Sequence, residues 1–338
     1  ELNASPKLKL GINLSPTYSI INDPGVEGKD NILHQLLSFT PVQEDTMGLY
    51  PNVGNNGQYR WSVSPNSPLG KLNYILGQTK RFRTLTTMFA DYQIIKGLNL
   101  RTTVNLDNTD NTAKGYTPYT LGTTSVTTRQ SQLAAGASGS ETGYRKQTFV
   151  NENTLTYSRI FNTVHDVNLL AGASYNSDKI DNLRIASNGG YSSSVITTLN
   201  AANGVTGNTT EARNVLISYF GRAQYSYDGK YLFSASIRRD GSSRFGANTR
   251  WGVFPSASVG WRISDEKFMT GISKISDLKL RGSWGTSGNY NIGDYSTIPT
   301  LAVFNYTFNG VPAIGQAPGG ITNPDLSWEK SQTFDVGV

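Results

Sequence analysis

The stretch LISYFGRAQYSYDGKYLFSASIRRD, Leu216 to Asp240, alternates with a period of two on both sides of an Asp-Gly pair. Ile217, Tyr219, Gly221, Ala223, Tyr225 and Tyr227 share one face of its first half; Ser218, Phe220, Arg222, Gln224 and Ser226 share the other. Past the pair, Tyr231, Phe233, Ala235 and Ile237 oppose Ser234, Ser236 and Arg238. This is the pattern of two strands in a hairpin. Opposed residues of an antiparallel pair lie on one face, so the apolar sets coincide only when the loop has an odd number of residues. A connection of Asp228, Gly229 and Lys230 meets that condition, whereas a two-residue turn would set Tyr225 against polar neighbours.

The same logic applies to MFADYQIIKGLNLRTTVNL, Met88 to Leu106. Met88, Ala90, Tyr92 and Ile94 align with Leu98, Leu100, Thr102 and Val104 through Ile95-Lys96-Gly97, which puts Gly97 where a hairpin needs a left-handed residue. Extended along the chain, the test predicts about ten strands. They lie near 7–14, 82–94, 98–107, 145–157, 166–175, 214–227, 231–239, 251–263, 278–287 and 326–338. Short connections (95–97, 158–165, 228–230, 264–277) take turns with long ones (15–81, 108–144, 176–213, 240–250, 288–325). In an up-and-down sheet this gathers every long, polar loop at one end. Short turns at one end, long loops at the other and strands of about ten residues are the marks of an outer-membrane barrel. Trp261 near a turn end and Trp251 near a loop end are candidates for its two aromatic girdles. A soluble β-sandwich is the competing reading, and would bury Tyr219, Ala223, Tyr225 and Phe233 against a second sheet.

Composition bounds the function. The chain of 338 residues has 37% hydrophobic residues, 35 Gly, 18 Tyr and a net charge of +6. Its Lys and Arg are dispersed, which speaks against a nucleic-acid partner. The absence of cysteine excludes disulfides, thiolate metal sites and a Cys nucleophile. His34 and His165 stand far apart with no carboxylate at ligand spacing, so each reads as a surface or turn residue. No apolar run approaches the roughly 18 residues of a membrane helix. Neither terminus reads as a natural end, and the chain is expected to be part of a longer protein.

Catalytic constellations are missing from the pattern: no GxSxG, HExxH or P-loop occurs, and Asp265-Glu266 falls in a turn. No catalytic residue, cofactor site or metal site is therefore expected. GASGSETG (Gly136 to Gly143) reads as a loop, and DNTDN (Asp107 to Asn111) as a solvated loop rather than an ion site. NILHQLLSF places Ile32, Leu33, Leu36 and Leu37 at helical spacing behind Asp30 as N-cap, a helix that packs loops. Tyr59, Trp61, Tyr116, Tyr119, Tyr191, Tyr290 and Tyr306 fall in long connections, where aromatics either capture ligand or pack loops together. IRRDGSSRFGANTRWG (Ile237 to Gly252) is basic and Gly-rich, but a strand rather than a helix follows it, so it is no phosphate cradle. Arg238 is expected on the polar face, Asp240 and Gly241 at the start of the turn, and the basic residues paired with Asp240 and neighbouring loops rather than with lipopolysaccharide.

With these strands in place, Leu216 to Phe268 resembles the barrel signature of SusC/RagA-type TonB-dependent outer-membrane transporters. FADYQIIKGLNLRT (Phe89 to Thr102), NENTLTYSRIFNTVHDVNLLAGASY (Asn151 to Tyr175), DLKLRGSWGTSGN (Asp277 to Asn289) and NPDLSWEKSQTFDVGV (Asn323 to Val338) are similar to that family's successive strands. The resemblance implies a barrel of about 22 strands plugged by an N-terminal domain. It implies import of glycans, oligosaccharides or peptides, driven by TonB–ExbB–ExbD, with a SusD-like surface lipoprotein as lid. Residues 1–338 then form a partial barrel domain, without plug, signal peptide or C-terminal strands, in contact with outer-membrane lipid and lipopolysaccharide. A passive porin-like channel or surface adhesin barrel is the alternative. The ligand-binding residues are unknown from the sequence, since the matching motifs are strands and turns.

Overall fold

The computed structural model describes residues 1–23, 32–37, 72–118, 137–193, 195–271, 275–320 and 323–338. Eleven antiparallel strands form one sheet, each beside its sequence neighbour. They are β1 (Leu2–Ser5), β2 (Leu8–Asn22), β3 (Leu76–Ile95), β4 (Leu98–Thr117), β5 (Ser138–Phe161), β6 (His165–Tyr191), β7 (Ala202–Tyr227), β8 (Tyr231–Ser242), β9 (Trp251–Arg262), β10 (Lys279–Asn289) and, after an inserted hairpin, β13 (Glu329–Gly337). Among the described residues the insert, β11 (Leu301–Phe308) and β12 (Val311–Pro318), pairs only with itself.

The expected registers hold where they were argued from faces. Tyr227 pairs with Tyr231, Tyr225 with Phe233 and Ala223 with Ala235, so Asp228-Gly229-Lys230 is the loop. Asp228 (φ 52) and Gly229 (φ 68) are both left-handed there. Tyr92 likewise pairs with Leu100 and Met88 with Val104. One step differs: Ile95, not Ile94, pairs with Leu98, with an irregularity after Gln93. The loop is thus two residues plus a bulge, and Gly97 takes φ 88 against the Ser158 carbonyl.

The strands are far longer than expected. β5, β6 and β7 run 24, 27 and 26 residues, where about ten cross a membrane. The connections 108–144 and 176–213 shrink accordingly, because polar Thr- and Asn-rich segments stay paired. Cross-strand charge holds them: Asp110, Arg145, Asp181 and Glu211 lie on one rung. Arg145 meets Asp110 at 2.6 Å, and Lys179 meets Asp181 at 3.3 Å and Glu211 at 3.4 Å. β1 and the β11–β12 hairpin lie outside the ten expected strands. The hairpin turns at Asn309-Gly310 (φ 55 and 77), the strongest short hairpin signal in the region. The helix forms as α1 (Ile32–Leu37) with Ile32 buried, while its proposed cap Asp30 lies outside the described residues.

The two faces of the sheet differ throughout. One carries Ile12, Met88, Leu100, Leu155, Leu169, Phe233, Ile237, Val259 and Phe334, all exposed. The other is rich in Ser, Thr, Asn and charge, and holds a recess of about 470 Å³ between β6 and β13, which marks it as the concave side. Tyr219 and Phe233 are 53% and 50% exposed, with no second sheet over them among the described residues, so the sandwich reading fails. An apolar convex face of this extent fits lipid rather than water. Tyr231 stacks on Trp261 at 6.5 Å at the turn end, and Tyr219 on Trp251 at 6.1 Å at the loop end. With a rise of about 3.4 Å and a tilt of about 40°, Trp251 and Trp261 stand roughly 25 Å apart along the barrel axis, the height of an apolar band.

Candidate functional site

Two regions can meet a solute: the rim at the loop end and the concave wall below it. The rim is built on the run Ile237 to Gly252. Asp240 and Gly241, expected at the start of its turn, instead lie in β8 opposite Gly252 and Trp251. The ladder continues past the sequence's Gly because Trp251 covers Gly241 in place of a side chain. The turn proper starts after Ser242. Arg238 donates to both Asp240 oxygens at 2.8 and 2.9 Å and to Ser218 at 2.9 Å, covering Ser218 and Asp240, which are buried, while its own side chain stays exposed.

The tip of the run is a brace rather than a cradle. Phe245, 2% exposed, packs with Phe254 and Trp328, flanked by Leu216, Tyr290 and Ile292. Arg244 pairs with Asp294 at 2.7 Å and lies over the Tyr290 ring at 5.5 Å. Thr249 donates to the Leu326 carbonyl at 2.8 Å and Thr297 to the Arg244 carbonyl at 3.3 Å. Arg238 and Arg244 therefore pair within the protein, as expected, whereas Arg239 and Arg250 have no carboxylate partner among the described residues. A second brace joins Tyr116 and Tyr191, edge to face at 5.2 Å, over Ala137 and Ala201.

The loop aromatics thus divide. Tyr116, Tyr191 and Tyr290 pack the rim, whereas Tyr306 on β11 is 51% exposed. Tyr59, Trp61 and Tyr119 lie outside the described residues. Two segments read as loops are strands: Asp107 to Asn111 belongs to β4, and Ser138 to Gly143 opens β5. Asp107 holds Arg83 through two bonds of 2.8 and 2.6 Å, and Asp110 holds Arg145, so these carboxylates serve the ladder. His165 begins β6 and bonds the Tyr225 hydroxyl at 2.8 Å within the turn-end girdle. Glu266 accepts from the Tyr231 hydroxyl at 2.6 Å and Trp261 Nε1 at 3.0 Å. Those two hydrogen bonds, the tyrosine's first, hold its carboxyl below the ordinary value.

On the concave wall two stacks recur that pattern reading missed. Gly11 opposes Phe89 and Gly172 opposes Phe220, each ring lying where a Cβ would be. Arg101 covers Phe89 at 4.4 Å and Arg238 covers Phe220 at 5.4 Å. The signal was present as a glycine facing a phenylalanine once the register is known. Toward the turn end, from β6 across to β13, the recess is lined by Asp166, Asn168, Gln224, Lys279, Arg281 and Asp335. Hydroxyl, amide and mixed charge on a concave surface can hydrogen-bond a polar oligomer without favouring one sign.

Comparison with known proteins agrees with this architecture. The family described as TonB dependent receptor-like, beta-barrel matches residues 37–338. TonB-dependent receptor P39 of Formosa agariphila is 32% identical over 293 residues, 85% of this chain and 27% of that protein. TonB-dependent receptor SusC of Bacteroides thetaiotaomicron is 44% identical over 131 residues, covering 37% of this chain and 13% of its own. A solved structure of the RagAB peptide transporter superposes with TM-score 0.77 at 24% identity, over 98% of this chain and 36% of that one, and so shares the fold. The chain spans a third or less of the length of the curated relatives it matches. A meander with lipid-type and lumen-type faces, matched over nearly its whole length, belongs to the TonB-dependent receptor β-barrel family of the outer membrane, in its SusC/RagA-type branch.

Proposed function

We propose that residues 1–338 are the barrel part of an importer that carries glycan fragments or peptides across the outer membrane, with a SusD-like lipoprotein as lid. The observation that carries this reading is the polar concave wall beneath a braced rim, a lined path rather than a smooth lipid-facing cylinder on both sides. In this reading a plug domain, a signal peptide and further strands belong to the rest of the protein. The lateral edges β1 and β13 must be paired there, since an open edge is untenable in lipid. Coupling to TonB would run through the plug.

The test is uptake by cells carrying the full-length protein, using labelled oligosaccharides and labelled peptides, with and without an uncoupler. An energised importer loses uptake of one class when the proton gradient collapses. Uptake that ignores the uncoupler would establish a passive channel, and no uptake of either class would favour an adhesin.

A further inference from the structure

On the convex face of β8 the residues run Tyr231, Phe233, Ala235, Ile237, Arg239 and Gly241. Arg239 is the cation in an otherwise apolar series, and it stands at the loop end of the band. Its neighbours are fixed by the ladder: Tyr219 on one side and Val253 on the other. The Trp251 ring lies across Gly241, where a Cβ would approach it to 2.8 Å, and stacks on Tyr219 at an interplanar angle of 24°. Arg239 sits over that ring, its guanidinium carbon 4.6 Å from the centroid. Among the described residues Arg239 has no carboxylate partner, whereas its neighbour Arg238 on the other face is fully engaged by Asp240 and Ser218.

We propose that Tyr219, Arg239 and Trp251 form a binding site for the phosphate group of an outer-leaflet phosphoglycolipid. A guanidinium set over an indole face spends no N–H group on a carboxylate, and its donor fork matches phosphate oxygens. The stack supplies what a lipid headgroup needs: a cation at the depth where hydrocarbon gives way to polar groups, rimmed by two aromatics suited to that boundary. Continuity with the apolar band places acyl chains along Ile237 and Phe233 directly below. The rung of Asp110, Arg145, Asp181 and Glu211 does not compete, because its carboxylates outnumber its one guanidinium and the adjoining Lys179 is held by Asp181 and Glu211. The proposal rests on the outer-membrane placement with the loop end outward. Labelling Ala247→Cys on intact cells with an impermeant maleimide tests that placement separately.

The experiment is native mass spectrometry of the full-length protein in detergent with monophosphorylated lipid A, its dephosphorylated form and phosphatidylethanolamine. The wild type should retain the phosphorylated lipid A at least tenfold better than the other two. Arg239→Gln should lose that preference, Arg239→Lys keep part of it, and Arg222→Gln on the concave face keep all of it. Equal retention of the dephosphorylated form or of phosphatidylethanolamine overturns the proposal, as does an unchanged preference in Arg239→Gln. The lipid comparison uses only wild-type protein, so it stands even where a variant fails to fold.

Discussion

The indole N–H of Trp328 donates to the backbone carbonyl of Arg250 at 3.0 Å, tying together positions 78 residues apart. The bond closes the rim brace: β13 begins one residue later, so the last strand of the sheet is registered against the tip of the β8–β9 connection.

Trp328→Ala should therefore loosen the rim while leaving the membrane part folded. Removing a buried Trp costs about 3–5 kcal/mol, felt locally in a structure this extended. Hydrogen exchange on the full-length protein should rise across 243–250 and stay unchanged in β4–β6. Trp328→Phe keeps part of the ring packing and loses the bond with the rest, so its effect should be smaller than that of the alanine variant, about 1–3 kcal/mol. Equal protection in the alanine variant and the wild type would refute the brace.

The facing of the strands is tested by a pair of neighbours on β8. Ala235 is on the convex face and Ser234 on the concave one. A lysine on a lipid face costs about 2–4 kcal/mol near the bilayer midplane, while a lumen position tolerates it. Ala235→Lys should lower the urea midpoint of the full-length barrel in lipid vesicles, and Ser234→Lys should not. The reverse order would exchange the two faces.

Acid should release the turn clip. The Glu266 carboxyl is held below its ordinary value by Tyr231 and then Trp261, so the clip is complete above the usual carboxylate range. Its contribution falls as pH drops below that range through the lowered value, where the protonated acid no longer accepts both bonds. Trp261 fluorescence should titrate there, and Glu266→Gln should abolish the step. A step that survives in Glu266→Gln belongs to another group.

Gly172→Ala should be more harmful than a surface glycine substitution. Its Cβ would come within 2.5 Å of the Phe220 ring, against 3.7 Å from the nearest atom at Gly221 next to that ring. Displacing Phe220 also unseats Arg238, and overpacking of this kind costs about 1–3 kcal/mol. Heat-modified gel migration of the full-length variants should rank Gly172→Ala below Gly221→Ala in stability.

What could be read from the sequence follows from which constraints are local. The face argument located Asp228-Gly229-Lys230 and the pairing of Tyr225 with Phe233 because a one-residue slip would flip every side chain. The upper halves of β4 to β7 were read as loops because their Thr, Asn and charges alternate only weakly; what keeps Asn108 to Thr117 extended is its partner Ser138 to Gln147. That information is not local. The Asn309-Gly310 turn is a local signal that stands alone inside a long connection. Arg238 and Asp240 were paired correctly from the sequence, yet the aromatic brace around Trp328 joins segments no pattern relates.

The length of the strands has a practical consequence for anyone engineering this protein. β6 has 27 residues, which at about 3.3 Å each and a tilt of about 40° gives roughly 70 Å, against about 25 Å of apolar band. Much of what a hydropathy trace would offer as permissive surface loop is a beam. An epitope tag or fluorophore inserted at Asn182 or Thr210 would cut a continuous ladder, whereas the short link between Tyr191 and Ala202 offers a joint outside it.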